Sequence, residues 1–381
     1  MGAGRAAGVA ARALGARSAA WQTLEDRAYW RMQRAVERVG LPEVPLLWSL
    51  AVRRTARGLA RGRNVRVVVT SGPPHSVHAV GLHLKRRLGL PWIADLRDPI
   101  TSNFGYRPAH RLADAWWRRL ERAIVGSADR VVVTCDALAA DLAQRHAPRR
   151  AERFVTITNG HDPVDAPPRA APPPADFGLS YVGALYRGQP IEPVLCGCRR
   201  FLAEHPSLTG RFRLRITGSI SAGERRAILP VDGEYLVHQP YRTHAVAVAE
   251  MHAAAALLLV VPDHPGGRLC IPAKTFEYLA TDRPVLALVP QGSSVARLLE
   301  RAGGVELLHR YDAAAFAAGA TRLYRRWQRT PTVARDAQFL RETRRDLLAG
   351  RLAELLTESI DRPVRARLAA AAPRTDAEAV A

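Results

Sequence analysis

The feature that most constrains this chain is an alternation of short β-branched runs with helical stretches. Residues 65–70 predict a buried strand, residues 75–88 carry a helical period, and residues 91–96 predict the next strand. Further strands are predicted at residues 130–134 and 154–158. Strands that alternate with helical patterns form βαβ units, so this part of the chain predicts a parallel sheet. The intervening helix at 110–125 is predicted to bury Leu112, Trp116, Leu120 and Ile124.

A proline-rich segment divides the chain. Residues 163–174 read PVDAPPRAAPPP, which neither a helix nor a central strand can accommodate. After it the alternation restarts, with helices between strands that are predicted at 179–183, 212–217, 235–238, 256–261, 284–289 and 305–308. The predicted fold class is therefore α/β, with two doubly wound, Rossmann-like domains that face a cleft.

The first 64 residues do not fit this pattern. They hold twelve arginines against four acidic residues, and they contain no β-branched run that predicts a strand. One basic amphipathic helix is predicted from the positions of Trp48, Leu50, Arg53, Arg54, Arg57 and Arg61.

The net charge of +21 is typical of a nucleic-acid binder. However, 54 of the 56 basic residues are arginine, because only Lys85 and Lys274 are lysine. Alanine is equally abundant, and GC-rich codons favour both residues. We therefore expect no nucleic-acid partner, and we expect Lys85 to be an ordinary surface residue.

Cysteine content and hydropathy indicate a soluble cytoplasmic chain. Four cysteines are too few for a disulfide framework, and Cys196 and Cys198 lack the C-x-x-C spacing of zinc or redox sites. The most apolar stretch, residues 245–261, is interrupted by Glu250 and His252, so no membrane span is predicted.

Glycine-rich and polar segments follow several predicted strands, at the ends where doubly wound sheets bind ligands. These segments are SGPPHS at 71–76, DLRDP at 95–99, TNGHD at 158–162, YVGALYRG at 181–188 and TGS at 217–219. Asn159 and Gly160 also form a turn signal.

The sharpest signal is the segment GGRLCIPAKTFEYLA at 266–280, in which Pro272 begins a helix. Lys274 and Glu277 are then i,i+3 neighbours. A cation at a helix N-terminus is unfavourable unless an anion lies there, so a diphosphate would suit Lys274 and a ribose diol would suit Glu277. The alternative is a surface salt bridge between the two, worth about 0.2–0.5 kcal/mol. Their spacing does not separate these interpretations.

Together and in order, these segments resemble the family 4 glycosyltransferases of the GT-B fold, which use nucleotide sugars. The resemblance runs from about residue 65 to 360 and is strongest at SGPPHSVH, DLRDP, TNGHD, YVGALYRG and PAKTFEYLATDRPVLAL. It implies an enzyme of hexosyltransferase type that transfers a sugar, with retention of configuration and without cofactor or metal. The acceptor would be a saccharide or a lipid-linked molecule in cell-surface polysaccharide or glycolipid synthesis.

The resemblance also implies site residues, with Glu277 as the glutamate that holds the nucleotide ribose. The predicted donor-binding residues are Glu277, Lys274, Arg187, Gly183, Gly218 and Gly267. The predicted catalytic residues on the acceptor side are Asp98, Arg97 and His75. Alternatively, Arg97 forms a structural pair with Asp95 or Asp98. The spacing of His75 and His78 is compatible with a metal, but no third ligand accompanies them.

Two positions depart from the family pattern. The family often carries a second glutamate eight residues before the ribose-binding one, and this chain has Leu269 there. Contact with the donor sugar is then expected from the backbone amides of Gly266 and Gly267. In addition, no strand or glycine loop is evident before residue 65, so the N-terminal sheet is predicted to lack its first strands. This departure motivates an alternative function, a catalytically inactive GT-B-like protein that binds a nucleotide or a partner.

The resulting division has an atypical basic segment, partly disordered or helical, at 1–64 and an incomplete acceptor-side domain at 65–162. A linker at 163–176 leads to a nucleotide-sugar-binding domain at 177–345, a C-terminal helix at 346–364 and a disordered tail at 365–381. Peripheral contact with the inner face of the cell membrane is expected through the basic N-terminal surface.

Overall fold

The computed structural model describes residues 45–108, 110–165, 174–186 and 188–371, and every structural statement below concerns these residues. The strands are β1 (Val68–Gly72), β2 (Trp92–Leu96), β3 (Arg130–Val133), β4 (Phe154–Thr156), β5 (Gly178–Val182), β6 (Arg213–Thr217), β7 (Leu236–Gln239), β8 (Ala256–Val260), β9 (Val285–Leu288) and β10 (Val305–Leu308). The helices before β5 are α1 (Pro45–Ala51), α2 (Arg53–Gly62), α3 (His78–Leu88), α4 (Arg111–Ser127) and α5 (Asp136–His146). The later helices are α6 (Ile191–Glu204), α7 (Ala222–Ile228), α8 (His244–Ala253), α9 (Pro265–Arg268), α10 (Lys274–Leu279), α11 (Ser294–Ala302), α12 (Ala313–Arg329), α13 (Ala337–Glu342) and α14 (Arg345–Ala371).

The strands form two parallel sheets, which confirms the predicted doubly wound α/β class. The first sheet has the order β1-β2-β3-β4, with Val69 opposite Ile93 and Val131 opposite Phe154. The second has the order β10-β9-β8-β5-β6-β7. β8 reads ALLLV and is buried at every position, as expected for a strand covered on both faces.

No strand precedes β1 in the part of the chain that the structure describes. Helices α1 and α2 take that place, so the basic segment is helical as predicted but forms two helices instead of one. α2 packs with α3 through Ala60, Val80 and Leu84. Residues 1–44 lie outside the described residues. The prediction that the sheet lacks its first strands can therefore be compared with the structure only from residue 45 onward.

The last helix returns to the first sheet. Leu348 and Leu355 of α14 pack with Ile93, Val132 and Ile157. Where the chain crosses between the sheets, the Arg345 amide donates to the His161 carbonyl at 2.9 Å. α14 extends to Ala371, seven residues beyond the predicted end of the C-terminal helix at residue 364. Residues 372–381 lie outside the described residues.

The inward face of α4 was predicted in part. Leu120 and Ile124 are buried and Trp116 packs against the core as predicted. Leu112, however, is 78% exposed, whereas Trp117 and the charged Glu121 are buried, so the face is rotated from the expected one. Hydrogen bonds from Arg145, His146 and Thr101 make the burial of Glu121 favourable. Lys85 is also more than a surface residue, because its ammonium contacts the Asp129 carboxylate at 2.6 Å.

Candidate functional site

The carboxyl ends of the strands in the two sheets meet at one interface. From the first sheet, Cys135 Sγ donates to the Leu269 carbonyl at 3.2 Å, and Asn159 Nδ2 donates to the Ile271 carbonyl at 3.4 Å. Gly266 packs so closely that a Cβ atom there would lie 2.1 Å from the Ser102 carbonyl oxygen. The loops that sequence reasoning placed around a cleft therefore do face each other, and residues 266–271 form the seam.

Lys274 is a buried cation without a partner. Its Nζ has no hydrogen-bond partner among the described residues and lies 3.7 Å from the centroid of the Tyr181 ring. Burial lowers the pKa of Lys274 to about 7, against the opposing effect of the Glu277 carboxylate. The face of Tyr181 compensates part of the lost hydration. An anion at this position would restore the charged state and supply the missing acceptor.

Gly183 and Gly218 create the space beside that ammonium. A Cβ atom on Gly183 would lie 2.8 Å from Lys274 Nζ, and the φ of +128° at Gly183 also favours glycine. A Cβ atom on Gly218 would lie 2.4 Å from the Gly183 carbonyl oxygen. The Gly183 amide donates to the Thr217 carbonyl, which joins the loops after β5 and β6. Lys274, Gly183 and Gly218 are thus brought together as predicted.

Glu277 lies on the same helix but points elsewhere. Its carboxylate is 3.4 Å from Arg345 Nη2, and its side chain is 19% exposed. The surface salt bridge between Lys274 and Glu277 is therefore absent from the described contacts. Glu277 lines a cavity of about 160 Å³ beside the chain crossing, together with His161, Asp162, Pro163, Asp165, Val248, Met251, His252, Ala280, Thr281 and Leu340. A carboxylate in such a wall can accept hydrogen bonds from hydroxyl groups.

Arg97 is bound within its own domain. Its guanidinium donates to Asp95 Oδ1 at 3.2 Å, to the Ile157 carbonyl at 3.1 Å and to Asn159 Oδ1 at 2.6 Å. The structural pair with Asp95 that the sequence left open is thus present. Since Asn159 also contacts Ile271, Arg97 orients the residue that connects the two domains.

Asp98 is the acceptor-side residue that remains available. It is partly buried, and its carboxylate forms no hydrogen bond with the described residues. Burial raises the pKa of Asp98, while the adjacent Arg97 guanidinium acts in the opposite direction. The Asp98 charge also adds to burial in raising the pKa of the Cys270 thiol to about 12, so the two groups lie near each other. Asp98 therefore lies beside the seam.

His75 is less accessible than expected of a residue lining a cleft. Its ring stacks at 6.1 Å on His78 and meets Trp117 edge-on at 6.3 Å. Burial lowers the pKa of His75 to about 4 and that of His78 to about 3, so both rings are neutral near pH 7. No group of three or more side chains that could hold a metal ion occurs in the described part of the chain.

The amides expected to contact the donor sugar are already occupied. Gly266 N donates to His264 Nδ1 at 3.0 Å, and Gly267 N donates to the His264 carbonyl at 2.8 Å. A Cβ atom on Gly267 would lie 2.2 Å from the Pro262 carbonyl oxygen, so this glycine permits a tight turn. Both amides are thus engaged within the turn, and their contact with a donor sugar stays a prediction. Arg187 lies outside the described residues.

Three residues of the site were not among the predicted ones. Tyr181 lies under the Lys274 ammonium, Asn159 links the domains, and Cys135 contacts the seam at Leu269. Tyr181 and Asn159 lie in the segments YVGALYRG and TNGHD, and Cys135 directly follows the strand predicted at 130–134. None of the helices that the structure describes is long and apolar enough to span a bilayer.

Comparison with known proteins identifies the first part of the chain. Residues 1–160 match a family model described as a glycosyl transferase 4-like domain. The match includes residues 1–64, in which the sequence predicts no strand. The resemblance to the family therefore begins earlier than residue 65. A search of curated proteins gave no significant match.

Solved structures share the fold over most of the chain. Sucrose-phosphate synthase from Thermosynechococcus elongatus has a TM-score of 0.65 at 17% identity and covers 83% of this chain and 79% of its own. The Anabaena protein HepE, solved with UDP and glucose, has a TM-score of 0.58 at 16% identity, over 81% and 80%. Trehalose 6-phosphate synthase from Burkholderia multivorans has a TM-score of 0.58 at 16% identity, over 85% and 77%. Residues 1–160 therefore match the glycosyl transferase 4-like domain, and the chain as a whole shares the GT-B fold of these solved structures.

Proposed function

We propose that this protein is a glycosyltransferase that transfers a sugar from a nucleotide-sugar donor. The observation that carries the proposal is the buried ammonium of Lys274, which lacks an acceptor and lies beside Gly183 at the end of β5. A diphosphate has the charge and the acceptors that this position lacks. The UDP and glucose named for the Anabaena neighbour support the same ligand class.

The remaining roles follow from the same arrangement. Glu277 would accept hydrogen bonds from the ribose, and Asp98 would face the acceptor from the first domain. Arg97 acts through Asn159 rather than on the substrate. We further propose transfer of a hexose with retention and without a metal, to a saccharide or lipid-linked acceptor. The setting would be surface polysaccharide or glycolipid synthesis in the cytoplasm, at the inner face of the cell membrane.

Calorimetric titration with UDP-, GDP- and dTDP-sugars tests donor binding. Wild-type protein should bind one of these nucleotides, and Glu277→Ala should lose on the order of tenfold in affinity as one charge-assisted hydrogen bond is removed. Glu342→Ala is a suitable control, because Glu342 pairs with Arg301 away from the seam. Unchanged donor affinity in Glu277→Ala would contradict the assignment of the ribose site.

A binding protein without catalysis is the second candidate. Two observations favour it. The Arg97 guanidinium is already bonded within its own domain, and position 269 carries a leucine instead of a glutamate, so fewer polar groups are free to act on a sugar. The two candidates share donor binding and differ in turnover. Release of nucleotide from the preferred donor, with transfer or hydrolysis of the sugar, would exclude the inactive protein.

A further inference from the structure

A surface outside the seam combines apolar and basic side chains on α1 and α2. The inward side of these helices is buried through Leu46, Ser49 and Ala60. Leu47, Leu50, Arg54, Arg57 and Arg61 follow one another at intervals of three and four residues, so they share one face beside the buried side. We call these five residues, together with Trp48, the N-terminal docking face.

The charge of this region is of one sign. Between Glu43 and Asp95 the sequence has no acidic residue, but it has eight arginines and Lys85. None of these eight arginines forms a side-chain hydrogen bond or an ion pair with a residue that the structure describes. Some arginines elsewhere in the described chain are paired with carboxylates, as Arg118 is with Asp114 at 2.9 Å.

The arginines of α2 also converge with those of α3. Burial lowers the pKa of His83, and the charges of Arg53, Arg87 and Arg57 lower it further. Like charges held this close repel one another unless an anionic partner lies over them. The cluster therefore indicates a polyanionic surface as its counterpart.

The apolar members of the face distinguish between polyanions. Leu47, Trp48 and Leu50 of α1 are 52%, 56% and 43% exposed, on either side of the buried Ser49. A nucleic-acid backbone offers no apolar layer to receive them. A bilayer does, since indole and leucine side chains enter the headgroup boundary while arginines contact phosphates.

We propose that the N-terminal docking face binds the protein to an anionic lipid bilayer. Leu47, Trp48 and Leu50 enter the boundary of the acyl chains, and Arg54, Arg57 and Arg61 contact lipid phosphates. The inference rests on the proposed function in one respect, since binding to the bilayer would bring the seam near a lipid-linked acceptor. Binding to lipid itself requires neither donor nor transfer.

Co-sedimentation with vesicles tests this inference on the full chain. Vesicles of phosphatidylcholine with phosphatidylglycerol should bind the protein, and vesicles of phosphatidylcholine alone should bind it far more weakly. The variant with Arg54→Glu, Arg57→Glu and Arg61→Glu should lose on the order of 100-fold in affinity for the anionic vesicles. The matched control reverses the same charge at Arg325, Arg326 and Arg329 of α12 and should lose much less.

Trp48→Ser supplies a second variant with unchanged charge and should lose on the order of tenfold in vesicle affinity. Each of three outcomes would overturn the proposal. These are equal binding to both vesicle types, equal losses in the two arginine variants, and a full chain that binds no vesicles. Binding of duplex DNA as tight as that of anionic vesicles would do the same. Nucleotide titration of the arginine variant separates the two proposals, because donor affinity should be unchanged.

Discussion

At the scale of single residues, the unusual feature is a lysine whose charge depends on its ligand. The Lys274 ammonium is buried against Tyr181 without an acceptor, and burial lowers its pKa to about 7. In the unfolded chain the same group has an ordinary pKa near 10.5. Between these values the unfolded state binds more protons than the folded state, so this group makes folding more favourable as the pH rises.

Lys274→Met therefore has opposite effects on stability and on binding. At pH 7 and below, it should raise the free energy of unfolding by at least about 1 kcal/mol, because a buried charge is removed. The increase in stability between pH 7 and 10 that this lysine causes should disappear. Urea denaturation across this pH range measures both effects.

Nucleotide binding should weaken in the same variant, by about 10- to 100-fold, because the diphosphate loses its cation. Wild-type affinity for UDP should fall as the pH rises above 7, where the free lysine is neutral. Lys85→Met is the control, since Lys85 pairs with Asp129, which precedes β3 and lies at the opposite end of the first sheet from the seam. A pH-independent affinity in the wild type would contradict this account.

Gly183→Ala should disturb both the backbone and Lys274. The added Cβ would lie 2.8 Å from Lys274 Nζ at a φ of +128°, and we expect a loss of stability of about 1–3 kcal/mol with weaker nucleotide binding. Gly188→Ala separates the two causes, since Gly188 has a φ of +88° and no atom within 4 Å of its Cβ position. Thermal denaturation and calorimetry should show strain in both variants but lost binding only in Gly183→Ala.

At the scale of elements, α14 completes a domain to which it is not adjacent in sequence. Its side chains Leu348 and Leu355 cover Ile93, Val132 and Ile157 of the first sheet. A sheet of four parallel strands needs cover on both faces, and α3, α4 and α5 supply only one. The C-terminal helix is thus part of the first domain's core.

Leu355→Ala should lower the free energy of unfolding by about 2–4 kcal/mol, because it leaves a cavity against that sheet. Leu347→Ala on the same helix is the matched control, since Leu347 is 51% exposed, and it should change stability by less than about 0.5 kcal/mol. Urea denaturation followed by circular dichroism compares the two. Equal losses would show that α14 does not cover the sheet in solution.

At the scale of the whole molecule, Asn159 joins the two domains. Its side-chain amide accepts a hydrogen bond from Arg97 and donates one to the Ile271 carbonyl, so it contacts both domains. The cavity beside Glu277 and the contact of Gly266 with Ser102 lie in the same interface.

Asn159→Asp keeps an acceptor for Arg97 but removes the donor to Ile271, whereas Asn159→Ala removes both. We expect both variants to give a larger radius of gyration in small-angle scattering, with an additional loss of about 1 kcal/mol in stability for Asn159→Ala. If neither variant changes the scattering, the contact does not hold the domains together.

The strands and the basic helix α2 could be predicted from the sequence because each depends on local pattern. The grouping of Lys274 with Gly183 was also accessible, since both follow strands of one sheet. The face of α4 was not, because burial of Glu121 depends on Arg145 and His146 from another helix. The cover that α14 provides depends on contacts distant in sequence, which periodicity does not encode. The amides of Gly266 and Gly267 bond to His264 within a local turn, whose geometry periodicity does not encode either.

The return of α14 has a consequence for the proline-rich segment. A protease that cuts between residues 165 and 174 would break the chain once, but the first fragment would still hold Leu348 and Leu355 of the second in its core. The His161 amide would remain bonded to the Thr343 carbonyl. The nicked protein should therefore migrate as one particle under native conditions, and the two fragments should be able to reassociate when they are produced separately.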